Sequence, residues 1–113
     1  MINSSNFINV LKAKVPKFEM ESEDEELFTV VMNSFVHFII EAFSKNDTDT
    51  LSKCIDFVNE ALLSEDERVN GAINEVAIGL YDNSYEMYCF FEKELSTTAQ
   101  EIFRININNW KNQ

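Results

Sequence analysis

The sequence predicts an all-α fold: one domain over residues 1–113, built from five to six helices in an antiparallel bundle or a short helix-hairpin array. Three observations carry this reading. Apolar residues recur at i, i+3, i+4 and i+7 in successive segments, cap-forming residues stand at the head of most of them, and short polar turns separate them. With 113 residues, 45% hydrophobic content and ten Phe, the chain can build one core and has no room for a second.

The first segment is short. Ser4 or Ser5 is placed to cap a helix reaching about Lys14, with Phe7, Ile8 and Leu11 on one face. Pro16, the only proline, then ends it, because the residue before a proline is driven out of the helical region. A turn over 15–18 follows.

Residues 19–26, EMESEDEE, hold six carboxylates: Glu19, Glu21, Glu23, Asp24, Glu25 and Glu26. Ser22 and Glu25 have capping-box spacing, and acids near a helix start complement its dipole. Helix-start chemistry leaves Glu19 and Glu21 unaccounted for, so this run is a candidate partner-facing surface. Behind it, Leu27–Phe43 reads as the central helix. Its polar residues Thr29, Asn33, His37 and Glu41 form one stripe four residues apart, Ser34 lies beside them, and the remaining circumference is apolar.

Asp47 or Thr48 can cap the next helix, whose apolar set is Leu51, Cys54, Ile55, Val58 and Leu62. Ser64 with Glu67 gives a second capping box, opening a helix with Val69, Ala72, Ile73, Val76, Ala77 and Leu80 inside. Gly71, Glu75 and Gly79 recur four residues apart on the opposite side, with Asp82 close by, and the glycines predict close approach of a neighbouring backbone. Asn83 and Glu86 mark a further start, followed by YEMYCFFEKEL, and Tyr81, Tyr85 and Tyr88 share a stripe. Thr98 and Glu101 open a last helix through Ile102, Phe103, Ile107 and Trp110, although Ile105–Asn108 also alternates with a strand-like period.

Twenty acids against nine bases give a net charge of −11, which argues against direct binding to nucleic acid or an anionic membrane and favours a basic protein partner. Cys54 and Cys89 lack CxxC spacing and read as small buried hydrophobes, consistent with a cytoplasmic protein. No run is apolar enough for a signal peptide or a membrane span. His37 and Glu41 lack the convergent ligands of a metal site and read as a surface hydrogen-bonded pair. Asp47 and Asp49 resemble the start of a calcium loop, but Ser52 and Val58 stand where its glycine and final glutamate belong. With no phosphate loop, dinucleotide fingerprint or nucleophile elbow, the sequence reads as a non-enzyme without a cofactor.

From Phe35 onward the chain resembles a family of small all-helical bacterial proteins whose roles are largely uncharacterised. The resemblance rests on Phe38 and Ala42, on Asp49 with Leu51 and Phe57, on Asp66, Val69, Asn70, Ala72 and Ile73, and on an aromatic last helix ending at Trp110. It departs from the family's pattern at Leu95 and Ser96, where members carry a proline. Small acidic helical proteins of this kind also resemble immunity proteins of toxin systems, including contact-dependent growth inhibition. That resemblance implies an inhibitor that neutralises a basic nuclease toxin by steric and electrostatic blocking, with two candidate surfaces: the run Glu19–Glu26 and the group Glu75, Asp82 and Glu86. The rivals are a helical adaptor that binds a partner in an apolar groove, and a small enzyme using His37 or a cysteine.

Overall fold

The computed structural model describes residues 2–20 and 27–112. Among them the chain forms six helices: α1 (Phe7–Lys14), α2 (Phe28–Ser44), α3 (Thr48–Ala61), α4 (Glu67–Asn83), α5 (Tyr85–Glu94) and α6 (Thr97–Lys111). The strand-like alternation at Ile105–Asn108 resolves as helix, leaving Ile105 57% exposed while Phe103 and Ile107 are buried.

The single proline acts as expected. Helix α1 ends at Lys14, Val15 leaves the helical region at ψ 70°, and the Phe18 N–H donates to the Val15 carbonyl at 3.0 Å. This turn buries Phe18, whose ring meets Phe35 and Phe38 edge-on, both at 5.3 Å. Helix α2 ends equally tightly. Asn46 adopts the left-handed conformation at φ 56°, its N–H donates to Phe43, and the Asp47 N–H donates to Ala42, so the last carbonyls of α2 are satisfied within the turn. Asp47 then caps α3 by accepting from the Thr50 N–H at 3.1 Å.

Three other helix starts lie one or two residues from the positions that capping-box spacing selects. Asp66, not Ser64, caps α4 by accepting from the Arg68 N–H, while buried Ser64 accepts from the Asp66 N–H. Ser84 caps α5 through the Met87 N–H, and Asn83 instead donates from its side chain to the Gly79 carbonyl. Ser96 caps α6 through the Ala99 N–H. At the first helix, Asn6 holds the N-cap position without a side-chain capping bond, and Ser4 donates from both its N–H and hydroxyl to Asp66. That bond ties the start of the chain to the head of α4. The Ser22–Glu25 capping box lies outside the described residues.

The sequence reading makes α2 the centre of the domain, and its polar stripe Thr29, Asn33, His37 and Glu41 is exposed as expected. The structure shares that centre with α4, which packs on α2, α3, α5 and α6. The two run in the same sense: Arg68 at the head of α4 sits 4.0 Å over the ring of Phe28 at the head of α2, and Gly79 further along meets Val36. Phe7 from α1 completes the core by packing against Phe28 at 4.6 Å and Phe57 at 5.6 Å. Two apolar residues at the head of α2 find no such cover, the N-cap Leu27 at 54% and Val30 at 42% exposure.

The glycine pair divides. A Cβ added to Gly79 would lie 2.9 Å from a Val36 methyl, whereas one added to Gly71 meets nothing within 4 Å. Gly79→Ala is expected to lower stability by about 1 kcal/mol, since overpacking a stiff valine at roughly 1–3 kcal/mol outweighs a helix-propensity gain of about 1 kcal/mol. Gly71→Ala is expected to raise it by about 0.5–1 kcal/mol. Denaturant midpoints of the two variants test this, and equal shifts in one direction would contradict the packing difference.

Hydrogen bonds from the Ser4 hydroxyl and N–H, and then from the Arg68 and Val69 N–H groups, hold the Asp66 carboxyl below the usual carboxylate range. A carboxylate depressed in this way adds stability above its unfolded pKa of about 3.9, and that stability is lost as the pH falls through the lower native value. Asp66→Asn keeps a capping oxygen and removes the charge. It is expected to flatten the acid limb of a stability profile below about pH 4, and an unchanged slope in circular dichroism melts would remove Asp66 from the linkage.

Candidate functional site

The strongest surface feature is a ring of aromatic side chains where α4, α5 and α6 meet. It exists because Ser84, extended at φ −157° and ψ 93°, breaks the helix between Tyr81 and Tyr85 and starts α5 at once. The last turn of α4 therefore faces the first turn of α5. Tyr81 meets Tyr85 and Tyr88 edge-to-face, each at 5.3 Å, and Tyr85 stacks with Tyr88 at 6.4 Å. Trp110, in the last turn of α6, adds its edge to Tyr81 at 5.9 Å.

The cluster is anchored below and open above. Buried Tyr88 stacks on Phe103 at 6.1 Å, and Phe103 stacks on Phe91 at 6.3 Å, so the rings continue into the core. Tyr85, by contrast, is 62% exposed. Aromatic pairs of this geometry contribute about 0.5–1.5 kcal/mol each beyond area burial, which fixes the rings before any partner arrives.

Charged groups surround them. Asp82 and Glu86, both exposed, follow Tyr81 and Tyr85 in sequence. Glu92, one turn past Tyr88, is more enclosed, and its Oε1 lies 2.8 Å from Arg104 Nη2 on α6. Lys111 places its Nζ 5.6 Å from the centre of the Tyr81 ring.

The sequence-selected acids fall into separate places. Glu19 lines a cleft of about 620 Å³ with Pro16, Phe38 and Thr50, where Lys17 and Lys45 are paired with Asp47 and Glu41, so the charge there is mixed. Glu75 borders a groove of about 510 Å³ between the first turns of α2 and α4, floored by Phe28, Gly71 and Ala72. Asp82 and Glu86 flank the tyrosines. Glu21, Glu23, Asp24, Glu25 and Glu26 lie outside the described residues. Sequence reasoning missed Glu92, which follows Tyr88 by one turn of α5, and Arg104 and Lys111, which join the tyrosines through tertiary packing of α6 on α4 and α5.

Two further readings are corrected. Glu41 pairs with Lys45 at 2.6 Å rather than with His37, which is exposed one turn earlier. Cys89 is exposed rather than buried. Cys54 is buried as expected; burial and the Asp47 charge push its thiol up to about 12, so it stays protonated at neutral pH. Among the described residues, no helix is long and apolar enough to cross a membrane.

Residues 8–110 match the family described as a domain of unknown function, DUF7674, and the chain belongs to that family. No curated protein and no solved structure matches the chain.

Burial, with the Glu92 charge, pushes the Tyr88 hydroxyl up to about 12. A raised pKa means stability that is present below the unfolded value of about 10 and is lost as the pH rises through the native one. Alkaline unfolding is therefore expected between about pH 10 and 12. Tyr88→Phe should shift the transition to higher pH when followed by Trp110 fluorescence; an unmoved transition would assign it to another group.

Proposed function

We propose that this DUF7674 member is an immunity-type inhibitor, a cytoplasmic protein that binds a cognate bacterial toxin domain with a basic surface, most directly a nuclease, and blocks it without chemistry or cofactor. The observation that carries this reading is the rigid cluster Tyr81, Tyr85, Tyr88 and Trp110 at the surface, bordered by Asp82, Glu86 and Glu92, on a chain of net charge −11. A nuclease presents Lys and Arg to hold phosphate. A carboxylate-rich surface complements that cleft in potential, and the pre-ordered aromatics supply the desolvated contact that holds the complex once formed. The acids then govern encounter and partner choice, and the rings govern dissociation.

A second reading, a helical adaptor, is favoured by one observation. The groove between α2 and α4 carries exposed Leu27 and Val30 beside Phe28, an apolar seat for a partner helix. The two readings differ in salt dependence. An inhibitor steered by charge associates more slowly as salt rises, whereas an apolar groove binds almost equally at low and high salt.

Affinity capture of the tagged protein from its native cells, with bound proteins identified by mass spectrometry at low and high salt, tests both. A basic toxin domain retained at low salt is the expected result. Reversing Asp82 and Glu86 to Lys should then slow association by about tenfold or more at low salt while leaving helix content unchanged. If reversal at Asp82 and Glu86, at Glu75 and at Glu19 all leave affinity untouched, electrostatic blocking is wrong.

A further inference from the structure

We infer that the cluster of Tyr81, Tyr85, Tyr88 and Trp110 is a receptor for an arginine side chain of the partner, and that Lys111 occupies part of that receptor in the free protein. This rests on the proposal that the acidic surface takes a basic partner, and adds the group that this site recognises. The faces of aromatic rings attract cations through their quadrupole. The chain already demonstrates the interaction, because Lys111 Nζ lies over Tyr81 at 5.6 Å.

Lys111 is the last residue of α6 and is exposed, so its side chain can leave the ring without disturbing a buried contact. Open carboxylates provide the second element: Asp82 and Glu86 are exposed beside Tyr81 and Tyr85, whereas Glu92 is already paired with Arg104 at 2.8 Å. A ring face beside an open carboxylate fits a planar, weakly hydrated guanidinium that stacks on one and donates to the other. Tyr85, 62% exposed and stacked on buried Tyr88, supplies the open face. An ammonium group, compact and strongly hydrated, would satisfy only one element at a time.

Trp110 is the only tryptophan, so its fluorescence reports on this site directly. The experiment titrates the full chain with a short oligoarginine peptide, and with oligolysine of equal length, at low salt. Binding of oligoarginine with a change in Trp110 emission, tighter than oligolysine, is expected. Tyr85→Ala should weaken it about 2- to 5-fold, the scale of one exposed cation–π contact. Lys111→Met should tighten it by a similar factor relative to Lys53→Met, which removes the same charge from α3. Three results would overturn the receptor: binding unchanged in Tyr85→Ala, Lys111→Met behaving as Lys53→Met, or oligolysine matching oligoarginine. Those outcomes leave the acidic-surface proposal standing; failure of both peptides to bind at low salt would remove that proposal as well.

Discussion

The approach of α4 to α2 at Gly79 and Val36 sets the geometry on which the other contacts depend. A glycine on one helix and a β-branched residue on the other bring the two closer than any side chain on α4 would permit, and the valine methyls fill the space left by the missing Cβ. At the far end of the same seam Arg68 lies over Phe28, and Phe28 packs against Phe7, so the spacing of α2 and α4 is transmitted into the phenylalanine core. The seam also fixes the line along which α4 leaves the core. Tyr81 sits two residues beyond Gly79, and its position decides whether α5 and the end of α6 can close around it. A shift of α4 outward would therefore act in two places, loosening ring contacts at one end and moving Tyr81 away from Trp110 at the other.

Helical periodicity made the architecture legible, because burying an amphipathic stripe is the dominant energy and its pattern is written along the chain. Helix starts were less legible. Around α4, both Ser64 and Asp66 have a side-chain oxygen that could cap, and pattern alone favours Ser64 because Glu67 follows at the right spacing. The fold favours Asp66, since that carboxylate also accepts from Ser4 sixty-two residues earlier in the chain. The same long-range bond removed Ser4 from the cap of α1. Burial misled at Cys89, which lies within the apolar pattern of α5 but on the side of that helix that carries exposed Tyr85.

The candidate surface was half legible for the same reason. Tyr81, Tyr85 and Tyr88 are near one another in sequence, so helical spacing groups them even though the break at Ser84 was placed one residue early. Arg104, Trp110 and Lys111 reach the cluster only because α5 and α6 fold back as a hairpin, with Gln100 donating to the carbonyls of Lys93 and Leu95 across the turn. No local pattern encodes that meeting. The acids, conversely, looked like one continuous property of the chain, and the fold distributes them: Glu19 enters a cleft of mixed charge, Glu75 a groove with an apolar floor, and Asp82 and Glu86 the rim of the rings.

The charge surplus is difficult to explain as a device for stability. Nine bases cannot neutralise twenty acids, and the ion pairs of Lys14, Lys17, Lys45 and Lys53 are solvent-screened surface contacts that add little to stability. The remaining negative charge opposes compaction, and the core must carry that repulsion. A basic partner would relieve it, so part of the binding free energy would come from repulsion already present in the free domain. Beyond about 8 Å at physiological salt such forces are screened, which confines them to encounter and orientation. Retention then has to come from groups in contact. Rigid rings fixed to the core at Tyr88 meet that requirement in a way that solvated carboxylates alone do not.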